Sequence, residues 1–419
     1  MLQVLGVVIF IVGLLVSIGL HEVGHMLPAK KFGVRVSEYF IGFGPTLWSR
    51  KGKETEYGFK AIPLGGYVKL VGMIPPEEAV RPVKVRGRLR QIIADAREAS
   101  VEEVHEGEDY RAFYHLTWWR KVIVMFGGPF VNLVLAIIAF TIVQVGVGMP
   151  VTNTTVSEVA ACVPASVDAT CTAADPESPA ALAGLQVGDT IVAINDTSVE
   201  TWEDIAPELA AHPGEQVTLT VDRDGETLQL TPTLASVERG GKTVGYLGFY
   251  PSSEIVKQGP LSGVQTAWNY SGMILKTIAT LPVQIYHATL ATLGIEERTT
   301  SSVMGIVGVG RVSADIAAAD VEGYTWQLKA ADMLNVFAGL NLALFAFNMI
   351  PLVPLDGGHI ASALWQGIKN GWARVRHLPK PRPVDVARMM PLAYGVFGLL
   401  IIMGAVLILA DIFAPVQVG

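Results

Sequence analysis

Hydrophobic positions in this chain gather into long unbroken runs, with the polar positions collected between them. Leu2 to Leu20 contains no charged side chain. At about 1.5 Å per residue, a helix of that length crosses most of a bilayer. Val122 to Met149, Trp326 to Ile350 and Pro391 to Ile412 are further runs of spanning length. Leu261 to Leu293 is also apolar, but Pro282 interrupts it and it carries Lys276 and His287. The first run lacks a basic segment before it and a small-residue cleavage site after it, so it is read as a retained span rather than a signal peptide.

Composition and charge then orient these runs. Only 16% of the 419 residues are charged and 51% are hydrophobic, whereas soluble domains carry about 25% charged residues. The region from Lys30 to Lys121 holds 17 Lys and Arg against 12 Asp and Glu, and residues 366–390 hold six against Asp385 alone. Basic loops stay cytoplasmic. Residues 150–261 hold 16 acidic and four basic residues and belong outside. Four spans satisfy all three placements and put both termini outside; counting 261–293 as a fifth would misplace the second basic loop. The prediction is a polytopic α-helical membrane protein. Its parts are span one (1–28), a cytoplasmic region (29–121), span two (122–149), an outside domain (150–260), an outside or interfacial amphipathic segment (261–325), span three (326–358), a basic cytoplasmic loop (359–390) and span four (391–414).

Two intervals carry patterns of their own. From about 42 to 73, alternation broken by Pro63 and Gly65-Gly66 predicts a membrane-associated β-hairpin. Arg81 to Arg97 is basic and Glu98 to Asp109 acidic, read as a solvated helix and loop. Within 150–260, Ser178 to Asn195 predicts a short helix, a glycine cap, a turn and a buried strand; Trp202 to Ala211 predicts a helix, and Gln216 to Val221 with Thr227 to Thr231 predict strands. An outside location permits a disulfide between Cys162 and Cys171, the only two cysteines. A pair of free thiols would fit as well.

The candidate chemistry sits at the end of span one. His21-Glu22-x-x-His25 places both imidazoles on one helix face with a carboxylate beside them. This is the zinc-peptidase pattern, in which the histidines bind Zn²⁺ and the glutamate is the general base. Polar residues at a helix end also simply mark a membrane boundary. A metal reading needs a third ligand at matching depth, and Asp356, between Pro351-Leu352-Val353-Pro354 and Gly357-Gly358, lies where span three should leave the membrane. An ionisable residue there is costly unless it serves a site.

These residues together resemble the site-2 protease family of intramembrane zinc metalloproteases, particularly the bacterial regulator-of-sigma-E protease branch. The resemblance runs through the His21 to His25 motif, the Pro63 to Lys69 loop, Gly128-x-x-x-Asn132 and the Asn348 to Gly358 stretch. It departs in the second proline, which is shifted by one. The run from Ala183 to Asn195 is similar to a bacterial PDZ domain, an α+β module that binds peptides by strand addition. The resemblance implies zinc on His21, His25 and Asp356, Glu22 as base, and Asn132 and Asn348 holding substrate or oxyanion. It also implies that Gly65, Gly66, Tyr67 and Val68 pair with substrate. The implied substrates are single-pass membrane proteins, such as anti-sigma factors already trimmed outside, in a bacterial cytoplasmic membrane. Membrane lipid and peptide ends at the PDZ domain are the other expected partners, and nucleic acid is not one. Serine and aspartyl intramembrane proteases fit worse, since no G-x-S-G or G-x-G-D motif lies in a span. A metal transporter would carry more polar residues along its spans. The rival from another class is a membrane scaffold with a PDZ domain and a structural metal, which would have no use for Glu22.

Overall fold

The computed structural model describes residues 1–80, 87–163, 171, 175–195, 197–239, 242–299, 302–321 and 323–416. The chain forms two compact units, Val147–Gln258 and the remainder on either side of it. In the larger unit, α1 (Leu2–Lys31) leads into two long antiparallel strands, β1 (Val36–Lys51) and β2 (Glu56–Leu70). The hairpin thus starts at Val36, earlier than the alternation alone indicated. The strands bend on themselves, so residues 38–41 pair with 56–59 on one side and with 66–69 on the other. Residues 66–70 are therefore an edge of this small sheet. The Tyr39 hydroxyl donates to the Gly19 carbonyl at 2.8 Å and fastens the sheet to α1. Helices α2 (Arg88–Glu102) and α3 (Trp118–Ile142) follow. Residues 81–86, part of the expected basic helix, lie outside the described residues. Arg97 is not solvated as expected: it is buried, donates to Pro75 O at 2.7 Å and pairs with Asp385 at 3.0 Å.

The smaller unit is built on β3 (Met149–Val159), α4 (Pro179–Leu182), β4 (Thr190–Ile194), β5 (Thr197–Ser198), α5 (Trp202–Ala210), β6 (Leu219–Arg223), β7 (Glu226–Leu230), β8 (Ala235–Arg239), β9 (Lys242–Tyr246) and β10 (Phe249–Val256). Strands run in the order β10-β3-β4-β6-β7, with β5 on β4 and a separate β8-β9 hairpin. Alternation along β6 sends Leu219 and Val221 inward, and a register shift between Ile191 and Ala193 brings both Ile191 and Ile194 of β4 to the same core, against Ile205 and Leu209 of α5. Thr201 and Asp204 form a capping box at the start of α5. Arg223 pairs with the buried Asp189 at 2.6 Å. Cys162 and Cys171 are bonded.

The chain then returns to the larger unit as α6 (Ser262–Thr292), α7 (Ile306–Ala318), α8 (Trp326–Asn348), α9 (Asp356–Val375) and α10 (Met390–Phe413). Four helical stretches are long and apolar enough to cross a membrane: Leu2–Lys31, Trp118–Val147, Trp326–Asn348 and Val386–Phe413. Helix α6 has an informative course. Its start packs on Ile137 and Thr141 of α3, and near its end Ala288 packs on Leu407 and Ala410 of α10. The opposite, N-terminal ends of α3 and α10 both meet α9, through Gly367 beside Trp118 and Ser362 beside Met389. Both ends of α6 therefore pack at the same end of the bundle, and α6 is not among the four candidate spans. The sequence boundaries need one correction here. Span three stops at Asn348, and 356–375 is a separate helix rather than the end of a span plus a loop. Pro351 and Pro354 have no N–H to continue α8, and α9 restarts at Asp356.

Candidate metal centre

His21 and His25 share a face of α1 one turn apart. The Nδ1–H of His21 donates to Asn132 Oδ1 at 2.7 Å, and the Nδ1–H of His25 donates to the Val124 carbonyl at 2.8 Å. Each imidazole therefore uses Nδ1 as its donor and turns Nε2 inward. The two Nε2 atoms are 3.2 Å apart, and Asp356 Oδ2 lies 3.4 and 3.3 Å from them. Asp356 Oδ2 is buried and has no hydrogen-bond partner. Three ligand atoms converging on one buried point suit a cation. The point equidistant from the three is about 1.9 Å from each by these distances, close to the ~2.0–2.1 Å of zinc–nitrogen bonds. The donor set and its spacing fit zinc.

Close packing of α1 on α3 makes this possible. A Cβ on Gly24 would lie 2.3 Å from Gly127 O, one on Gly127 2.0 Å from Gly24 O, and one on Gly128 2.2 Å from His25 Nε2. Only glycine lets the backbones meet here, and the His25 ring sits directly on Gly128. Gly357, with a Cβ position 2.2 Å from Ile350 O, likewise lets the start of α9 fold back on the turn before it.

Glu22 is buried beside the two histidines. The Val68 amide reaches its carboxylate, and a Cβ on Gly66 would lie 3.3 Å from Glu22 Cγ and 2.8 Å from Ile18 Cγ2. Gly65 has φ +134 with Phe43 against it, and Tyr67 stacks on Phe40 and donates to Glu38 at 2.7 Å. The edge 66–70 is thus laid along the turn of α1 that carries Glu22.

Asn132, expected to hold substrate or oxyanion, also makes contacts within the protein. It is fully buried and both its polar atoms are engaged: Oδ1 accepts from His21, and Nδ2 donates to Asn341 Oδ1 at 3.2 Å. Asn341 in turn donates to Ser17 Oγ at 2.9 Å. This chain orients His21. Asn341 and Ser17 were missed in the sequence, although a second asparagine in an apolar span was the available signal. Asn348 is the last residue of α8, half-buried, eight positions before Asp356.

The sequence pattern of peptidase family M50 matches residues 9–378. The chain belongs to peptidase family M50. It is 31% identical to the zinc metalloprotease Rip1 of Mycobacterium tuberculosis over 440 aligned positions, covering all of this chain and 99% of that one. It is 29% identical to the metalloprotease MmpA of Caulobacter vibrioides, covering 87% of this chain and 88% of the relative. For the zinc metalloprotease RasP of Geobacillus kaustophilus the identity is 25%, covering 81% and 84%. The family read from the motifs therefore holds, and with it the zinc metalloprotease class. In this M50 chain all three acceptors of the cluster come from helices of the larger unit: two from α1 and one from the first residue of α9.

Proposed function

We propose that this protein hydrolyses peptide bonds inside the transmembrane segments of single-pass membrane proteins, with His21, His25 and Asp356 holding zinc and Glu22 as general base. The observation that carries this reading is the convergence of three ligand atoms, one of them otherwise unpartnered, at the end of a helix apolar enough to span a membrane. Zinc bound there supplies a Lewis acid toward the peptide carbonyl and toward water. Glu22, buried among the ligands, takes the proton from the attacking water and returns it to the leaving amine. A helical substrate hides its peptide bonds, so it must be extended locally, and the edge at Gly65, Gly66, Tyr67 and Val68 offers strand pairing to replace its lost hydrogen bonds. Asn132, through its second amide N–H, and Asn348 are the candidates for a substrate or oxyanion contact.

By the positive-inside rule the end bearing the metal faces the cytoplasm, with both termini outside a bacterial cytoplasmic membrane. Residues 147–258 are read as a PDZ domain on the outer side, suited to binding peptide ends. The substrates proposed are anti-sigma factors or other single-span fragments already trimmed outside. The test compares wild type with Glu22→Gln for zinc content and for cleavage of a single-span substrate. The variant should keep zinc and lose about 10²- to 10⁴-fold in rate. Loss of zinc, or undiminished cleavage, would remove Glu22 from the role of base. A wild type that holds zinc and cuts no membrane-spanning substrate would point to the scaffold instead.

A further inference from the structure

Helix α9 has one face that none of the described residues covers. Its buried side packs through Gly357, Gly358, Ile360, Ala363 and Ala373. The opposite side presents Trp365, Ile368 and Trp372, which are 57%, 61% and 60% exposed. Their spacing of three and then four residues puts them on one stripe. The stripe continues across the turn after α9 as a groove of about 730 Å³, with Leu378, Pro379 and Lys380 on its far side. Basic groups line this surface. The Arg376 guanidinium sits 4.8 Å from the centroid of the Trp372 ring. Among the described residues, Arg374, Arg376 and Lys380 have no carboxylate within ion-pair distance, and Asp385 is taken by Arg97 and Arg388.

The location says what covers this surface. Helix α9 follows the end of one candidate span, α8, and precedes the start of another, α10. Both neighbouring ends lie at the metal end of the bundle, so α9 runs at the level where a bilayer changes from acyl chain to headgroup. A helix with indoles and an isoleucine on one face and unpaired cations beside them is built for that layer. Unpaired cations there attract anionic lipid.

We propose that α9 and the turn after it form a binding site for anionic phospholipid in the leaflet at the metal end of the bundle. Trp365, Ile368 and Trp372 enter the upper acyl region, and the lipid phosphate rests on Arg376 and Lys380. The site depends on the membrane placement of the spans and not on the catalytic assignment, because its test reads no cleavage.

The native cysteines are bonded to each other, so an Ile368→Cys substitution in the full chain supplies the only free thiol for an environment-sensitive fluorophore. The labelled protein is placed in nanodiscs of zwitterionic phospholipid, with or without anionic phospholipid. Quenching is measured with lipids brominated high on the acyl chain and with aqueous iodide. Brominated lipid should quench the label more strongly when anionic lipid is present. Combined Arg374→Glu, Arg376→Glu and Lys380→Glu should abolish that excess. Equal quenching in the two membranes overturns the proposal, as does an excess that survives charge reversal. So does a label reached by iodide alone, or one reached by neither quencher, which would mean that protein covers the face.

Discussion

The two units of this chain are packed on opposite plans. In residues 147–258 the largest side chains are innermost: Ile191, Ile194, Ile205, Leu219, Leu234 and Leu247 are all fully buried. In the larger unit the fully buried positions are mostly small, among them Ala29, Ala136, Ala338 and Ala410, joined by Val124 and Leu342. Its large side chains, such as Val4, Phe397, Leu399 and Ile402, face outward. Water drives the first pattern, because every buried methylene is removed from contact with it. Lipid allows the second: a leucine gains nothing by leaving acyl chains, so helices associate where small residues let their backbones approach. The metal centre uses the second plan. Its ligands are brought together by glycine contacts between α1 and α3, beside a buried cluster that includes Met26, Val124, Met125 and Ile360.

The sharpest way to break this comparison is to add one methyl group in the larger unit. Gly128→Ala puts a carbon where the His25 ring sits. It should cost more metal affinity than the about 10- to 100-fold expected for losing a supporting hydrogen bond, and cleavage should go with it. Zinc content by elemental analysis and chelator competition measure the loss; wild-type affinity would show that the glycine contact does not seat the ligand. The opposite change belongs to the smaller unit. Ile191→Ala should cost about 2–5 kcal/mol there, read as lost hydrogen-exchange protection across 147–258, while zinc affinity stays as it was. A drop in zinc affinity would mean that the two packing plans are coupled.

A smaller effect is expected from the chain behind His21. Asn132→Leu removes the acceptor for Nδ1 and should weaken zinc about 10- to 100-fold. Asn341→Leu should act in the same direction and less, since it touches His21 only through Asn132. If Asn341→Leu were the more severe, Asn341 would have to act on the metal by another route. The smallest effect concerns Asp189, a buried carboxylate of the smaller unit. The Arg223 guanidinium holds the Asp189 carboxyl below the usual carboxylate range. A depressed acid contributes stability in full above its unfolded value, about 3.9, and loses it as pH falls through the folded one. The difference in exchange protection between wild type and Arg223→Gln should therefore be complete at neutral pH and shrink below about pH 4. A difference that grows on acidification would contradict the pairing.

Much of the site was legible in the sequence because its ligands follow local rules. His21 and His25 are one turn apart on a helix, and Asp356 stands out as an acid among prolines and glycines at a span's edge. The residues that orient the ligands obey no such rule. Asn341 and Ser17 meet Asn132 only because α1, α3 and α8 converge, and a single asparagine among apolar residues does not say what it faces. Helix α9 was hidden for a different reason. The basic residues of 366–390 gave the charge signal that oriented the chain, and that signal masked the spacing of Trp365, Ile368 and Trp372. The hairpin was found, but its fold on itself was not, since register depends on which halves of two long strands meet.

The contact of Gly24 with Gly127 also bears on how a small molecule could be made to silence this protein. Where main chain touches main chain no side chain can swing aside, so the wall between α1 and α3 has no door. A chelating inhibitor has to arrive past the 66–70 edge or past the turn before Asp356. A compound shaped as an extended strand, with its chelating group placed to meet His21 and His25, would follow the first of those routes.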